Sequence, residues 1–210
     1  MCLTFSHFAR NIDQLRPIPR KNHITMLLNV RQYGDPVLRA VCSPVEKVDD
    51  ELKTLTDNML ETMYATEGIG LAAPQVGLNI RLVVIDIPED EEEGNEPEMI
   101  MVNGEEKPMR SIMPLVFINP ELEPYGKQYL FTEGCLSVRG LRANVSRPER
   151  VKAKLTLLDG TLLNIDCGGL LARCLQHECD HLDGFLYVDR VSSAAKITLA
   201  KKLRKLAATR

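Results

Sequence analysis

No hydrophobic run in this 210-residue chain approaches the roughly 18 residues that a membrane-spanning helix needs. A surplus of charge is missing too: 26 Lys and Arg face 29 Asp and Glu, a net −3 that offers no general attraction for nucleic acid. No internal repeat is visible. Histidine is scarce, with four in the chain, and the six cysteines are scattered rather than grouped as a disulfide framework. A reducing cytosol therefore fits the chain better than an oxidising compartment. The composition that remains, 44% hydrophobic and 26% charged, is ordinary for a soluble globular protein long enough to bury a substantial core.

Two of the four histidines fall in one short run, His177-Glu178-Cys179-Asp180-His181. This is the H-E-x-x-H arrangement. A helix turns by about 100° per residue, so His181 lies about 40° from His177 and one turn further along, and both rings reach one metal ion. Glu178 sits on the flank of that face, placed to take a proton from a water that the metal activates without itself being a ligand. Leu170, Leu171, Cys174 and Leu175 form an apolar stripe leading into the histidines, with Gly168-Gly169 to open the helix and Gly184 to close it. The histidines of such a core helix point inward, where an unpaired ring is costly.

A catalytic metal commonly takes three protein ligands and a water, so a further ligand must come from elsewhere. Cys179 faces away from the histidines, and Cys174 lies about 10 Å along the axis from His181. His7 and His23 belong to an odd N-terminal extension. Cys2, Cys42, Cys135, Cys167 or a carboxylate remain, and spacing alone does not choose among them.

Three blocks, taken in order, resemble the peptide deformylase family: Gly68-Ile69-Gly70-Leu71-Ala72-Ala73-Pro74-Gln75, Glu133-Gly134-Cys135-Leu136-Ser137, and the histidine run. The resemblance covers about residues 26 to 192. It implies that Cys135 is the third metal ligand beside His177 and His181, that Glu178 is the general base, and that the Gln75 side chain and the Leu136 backbone N–H stabilise the oxyanion. A ligand upstream of the motif argues against the usual zinc proteases, whose third ligand generally follows it. The implied reaction is hydrolysis of the N-formyl group from formyl-methionine at the start of a nascent peptide, which releases formate. One divalent metal ion per chain is expected, typically Fe2+ in the family, with Zn2+, Ni2+ or Co2+ able to take its place. For the methionine pocket, Ile69, Gly70, the stem of Glu133, Leu136, Leu171 and Cys174 are expected, with Arg142 near the substrate; core packing serves equally for Leu171 and Cys174. Arg139 departs from the pattern, standing where many members have proline.

The first block also fits a loose dinucleotide fingerprint, G-x-G-x-x-A. That fingerprint needs a strand before it and a helix after it. Here Leu52, Leu55, Met59 and Met63 at helical spacing precede it, behind Asp49 as N-cap, and Pro74 follows. Gly68 is instead expected to stop this helix in a left-handed turn, and Gly70 to let backbone approach a ligand closely. A metalloprotease or other amide hydrolase and a silent deformylase-like binder are the competing readings.

Strands are expected over 81–87, 115–119, 151–158, 161–165 and 185–191, with Asp159-Gly160 turning a hairpin. With the central motif helix they make an α+β fold of antiparallel sheets and hairpins packed around a metal-binding helix, as the resemblance also implies. Residues 26–210 read as one catalytic domain. The basic extension over 1–25 carries Arg10, Arg16, Arg20 and Lys21 against Asp13, and reads as a targeting segment or as the product of an upstream start site. An acidic surface loop is expected over 88–98, with Glu89, Asp90, Glu91, Glu92, Glu93, Glu96 and Glu98. A basic helix over 194–208 aligns Leu199, Leu203 and Leu206 on one face and carries Lys196, Lys201, Lys202, Arg204 and Lys205, with Arg210 beyond. It resembles the C-terminal helix by which some family members dock on the ribosome.

Overall fold

The computed structural model describes residues 25–88 and 98–208. The basic extension, apart from Thr25, and the acidic loop, apart from its two ends, lie outside the described residues, as does Arg210. Three helices, α1 (Asp50–Ala65), α2 (Gly169–Leu182) and α3 (Ser193–Ala208), accompany seven strands among the described residues. The strands are β1 (Gly70–Ala72), β2 (Leu82–Ile85), β3 (Met99–Val102), β4 (Glu105–Pro108), β5 (Leu115–Gly134), β6 (Arg142–Leu157) and β7 (Leu162–Cys167). They form one sheet in the order β1-β2-β5-β6-β7-β3-β4, with every neighbouring pair antiparallel. The expected α+β architecture is the one found.

Local chemistry accounts for the elements. Asp49 caps α1 by accepting the Leu52 N–H at 3.0 Å, and the helix buries Leu52, Met59, Leu60 and Met63 against β1 and β2. The left-handed residue that ends it is Glu67 (φ +55°), not Gly68 as expected. Gly68 N–H reaches back to the Met63 carbonyl at 2.8 Å, and a Cβ on Gly68 would lie 3.2 Å from Leu136 Cδ1, so this glycine serves close packing. Gly160 (φ +85°) turns the expected β6–β7 hairpin.

β5 and β6 run far beyond the stretches that alternation marks. They pair from Phe117 with Leu157 out to Gly134 with Arg142, with register shifts after Ile118 and after Tyr125. Asn119 (φ +48°) sits at the first shift, and its side-chain amide exchanges two 2.8 Å hydrogen bonds with the Val45 backbone, so the local backbone groups stay satisfied. The hairpin ends at Gly134, immediately before Cys135.

The strand expected over 185–191 does not form. That segment holds a 3-10 turn, Tyr187–Asp189, and one isolated bridge between Val145 and Val191. The Asp189 carboxylate accepts the Leu186 N–H at 2.7 Å and is held by Arg39, which curls the chain. Leu186, Tyr187, Val188 and Val191 are all buried, so the run fills a core cluster rather than alternating across a sheet.

α2 is the centre of the fold. Every residue from Leu171 to Leu182 is buried, and the helix packs on β6, β1, β2 and β5. α3 lies outside, docking Leu199, Leu203 and Leu206 on the cluster built from Val138, Tyr187 and Val191. No helix among the described residues is long and apolar enough to cross a membrane.

Candidate metal centre

Two elements converge on the site. α2 presents His177 and His181 one turn apart, with ring centroids 5.1 Å from each other and an interplanar angle of 77°. The end of β5 delivers Cys135, whose Sγ lies 3.3 Å from His181 Nε2. One ligand atom from each of Cys135, His177 and His181 falls within 4.8 Å of the others, and all three residues are buried. Ligands at metal–sulfur and metal–nitrogen distances near 2.3 and 2.0 Å stand about 3.5 Å apart in a tetrahedron, so this spacing is close to what such an ion requires.

The donor chemistry fits an ion as well. His177 Nδ1 is bonded to Glu133 Oε2 at 2.9 Å, which leaves Nε2 as the free ring nitrogen; it is buried without a hydrogen-bond partner among the described residues. An orphaned buried acceptor costs stability, and a bound cation relieves that cost. Burial, and after it the neighbouring His177, hold the His181 pKa well below its ordinary value, so this imidazole stays in the neutral form a metal needs.

Glu133, whose stem is expected in the pocket, anchors the centre through its carboxylate. It is 1% exposed, and Arg147 grips its carboxylate with two hydrogen bonds, at 2.7 and 3.0 Å. Arg173 adds a third at 2.7 Å and donates to the Tyr129 carbonyl with its other nitrogen. Arg147 also reaches Asp180 at 2.8 Å, where Arg190 makes a second contact. Burial alone would raise the Glu133 pKa, but the hydrogen bonds and charges of His177 and Arg147 outweigh it and hold the carboxyl well below the usual range. Tyr187 stacks on the His177 ring at 6.3 Å. Arg147, Arg173, Asp180 and Tyr187 are the members that sequence reading missed. Arg173 carried a signal, because a guanidinium inside the stripe Leu171, Cys174, Leu175 needs a buried anion.

The remaining residues of the first two blocks surround the cluster. Gln75 is fully buried; its Oε1 accepts the Ala72 N–H at 2.8 Å, which turns Nε2 toward Cys135 Sγ and Ser137 Oγ, each at 3.4 Å. Leu136 follows Cys135 in a turn closed by Val138 N–H on the Cys135 carbonyl at 2.9 Å. Glu178 is 1% exposed and lies against β1. The close approach at Gly70 is to this side chain: a Cβ there would stand 2.5 Å from Glu178 Oε1 and 2.9 Å from Cys174 Sγ. Ile69, Leu171 and Cys174 are all buried in the central core cluster. Arg142 is exposed at the start of β6, opposite Gly134. Arg139 is exposed in a turn closed by Leu141 N–H on the Val138 carbonyl, with Gly140 left-handed at φ +71°.

Known proteins are similar to this chain in sequence and in fold. The family described as polypeptide deformylase matches residues 27–196. A peptide deformylase of Stutzerimonas stutzeri is 44% identical over 181 residues, covering 86% of this chain and 96% of that protein. One from Novosphingobium aromaticivorans is 46% identical over 178 residues, covering 83% and 94%. Among solved structures, a peptide deformylase from Synechococcus elongatus in complex with actinonin superposes with a TM-score of 0.70 at 38% identity, covering 90% of this chain and 92% of that one. One from Ehrlichia chaffeensis gives 0.72 at 34%, covering 86% and 96%.

Exchange of Glu133 for glutamine keeps the shape and removes the charge that Arg147 and Arg173 share. Glu133→Gln is expected to lower the unfolding free energy by about 3 kcal/mol and to weaken metal retention about 10- to 100-fold. Urea unfolding and competition with a chelator measure the two effects, and metal retention equal to that of the parent would contradict the anchoring role.

Proposed function

The chain belongs to the polypeptide deformylase family, and from that premise we infer a metal-dependent hydrolase that removes the N-formyl group from the formyl-methionine of newly made polypeptides, releasing formate. The observation that carries the reading is the buried convergence of Cys135, His177 and His181, with Glu178 on the same helix beside them. One cysteine sulfur and two imidazoles suit a divalent cation of borderline softness, and ferrous iron is the ion we assign, with zinc, nickel or cobalt as substitutes.

A metal ion held by Cys135, His177 and His181 would supply Lewis acidity, making water a stronger acid and polarising the formyl carbonyl. The chain's own groups do the rest. Glu178 accepts a proton as water adds to the formyl carbon and returns it to the leaving nitrogen as the C–N bond breaks, so formate and a free amine depart. Gln75 Nε2 and the Leu136 N–H face the oxygen that gains negative charge. Gln75 needs no reorganisation for this, since Ala72 N–H already fixes which end of its amide points at Cys135. Glu133, held by two arginines, keeps His177 Nε2 turned inward and the ring in one tautomer. Ile69, Leu136, Leu171 and Cys174 offer apolar surface beside Gly70 for the methionine side chain, and Arg142 stands at the exposed rim.

α3 supports a place of work. Its leucine face is spent on the domain, while Lys196, Lys201, Lys202, Arg204 and Lys205 are exposed in a helix with no acid. That surface suits the phosphates of ribosomal RNA, and with it a cytoplasmic enzyme meeting nascent chains.

Glu178→Ala is expected to keep one metal ion per chain while kcat on formyl-Met-Ala-Ser falls about 10²- to 10⁴-fold. Normal turnover by that variant would remove Glu178 from the reaction. Truncation after Val191 is expected to weaken salt-sensitive association with ribosomes and to spare activity on the free formyl peptide. Unchanged association would leave α3 a structural element.

A further inference from the structure

An extended strap, residues 30–33, runs past the reacting end of the fold and bonds to both blocks that face it. Arg31 N–H donates to the Gln75 carbonyl at 2.7 Å, and Tyr33 N–H to the Ser137 carbonyl at 2.7 Å. Between them the half-buried Gln32 uses its side chain: Nε2 donates to the Leu136 carbonyl at 3.1 Å and to the strap's own Val30 carbonyl at 3.1 Å. Both of its N–H groups are therefore engaged and the amide cannot turn over without losing them. The Arg31 side chain closes the other side, lying where a Cβ on the left-handed Gly77 would collide at 2.7 Å.

The consequence lies in the loop that carries Cys135. Three successive carbonyls, those of Cys135, Leu136 and Ser137, accept hydrogen bonds from Val138 N–H, from Gln32 and from Tyr33 N–H. A peptide unit is planar and its C=O and N–H point opposite ways, so holding the Cys135 carbonyl sets the direction of the Leu136 N–H. Holding the next carbonyl fixes the peptide unit on the other side of Leu136, so the turn is anchored on both flanks of the residue that carries this N–H. Two of the three donors are backbone groups that most substitutions leave untouched. Gln32 is the one that a side chain supplies, and it sits 104 residues away along the chain.

We propose that Gln32 is a positioning residue for deformylation: acting through the Leu136 carbonyl, it keeps the turn that carries the Leu136 N–H in place beside Gln75, whose backbone carbonyl the same strap holds, around the oxygen that gains charge. The proposal rests on the deformylase reading. It predicts an effect on the chemical step rather than on binding, because a misdirected oxyanion donor is missed most in the transition state.

Two variants of similar length test it. Gln32→Met removes both N–H groups, and Gln32→Glu points a second acceptor at the Leu136 carbonyl. On formyl-Met-Ala-Ser, kcat is expected to fall about tenfold in the first and further in the second, with KM within about twofold of the parent. Metal content and the thermal midpoint should stay at parental values, and amide hydrogen exchange at Leu136 should quicken. Parental kcat in both variants overturns the proposal. So does a fall in kcat matched by lost metal or a collapsed midpoint, since Gln32 would then be a structural support. The parent assayed alongside separates the levels: unaltered variants beside an active parent remove only the positioning role, whereas a metal-replete parent that releases no formate removes the deformylase reading and this proposal with it.

Discussion

The carboxylate of Glu133 is buried at 1% exposure with two guanidiniums against it and an imidazole on its far oxygen. An anion in that position is tolerable only because every lone-pair direction is met, and breaking such a set costs several kcal/mol while replacing it whole costs little. The arrangement therefore fixes geometry more than it adds stability. It joins the last paired residues of β5 to the middle of β6 through Arg147 and to the first turns of α2 through Arg173. Since Cys135 lies two residues beyond Glu133 and His177 is bonded directly to it, the strand-borne and helix-borne ligands are held by the same carboxylate. Asp180, one residue before His181, repeats the device by binding Arg147 and Arg190.

A second constraint acts on the flank of α2 that carries Glu178. β1 can lie against the helix because Gly70 has no Cβ; any side chain there would strike Glu178 and Cys174. The general base is thereby confined between a helix and a strand edge in a dry setting, where proton transfer to and from a fixed carboxylate needs little reorganisation. Gln75, three residues past β1, is placed by the same strand. The two constraints set the metal ligands and the acid–base and oxyanion groups from neighbouring flanks of one buried helix.

Much of the site was legible because helical spacing maps directly onto space. His177, Glu178 and His181 required only a helix, and the apolar stripe with its flanking glycines located one. The family resemblance, not spacing, singled out Cys135. What stayed hidden depended on pairing across long separations. The expected strands over 115–119 and 151–158 mark only one end each of much longer ones, because Pro120, Pro124 and Pro148 interrupt the alternation near the points where the ladder shifts register. The β3–β4 hairpin had its signal in plain view, Asn103-Gly104 with both residues left-handed (φ +52° and +83°), beside the acidic run that was read as loop. The apolar run around Tyr187 reads as a strand, but Leu186, Tyr187 and Val188 are buried in succession rather than alternately. The anchoring role of the Glu133 carboxylate was hidden because its partners, Arg147 and Arg173, come from two other elements.

The central claim is that Cys135, His177 and His181 hold one divalent ion on which deformylation depends. Formate release from formyl-Met-Ala-Ser by anaerobically purified protein, followed before chelation, after it, and after reloading with ferrous iron, tests this most directly. The account predicts turnover that disappears when the metal is stripped and returns at one ferrous ion per chain. Turnover that survives complete stripping would contradict it.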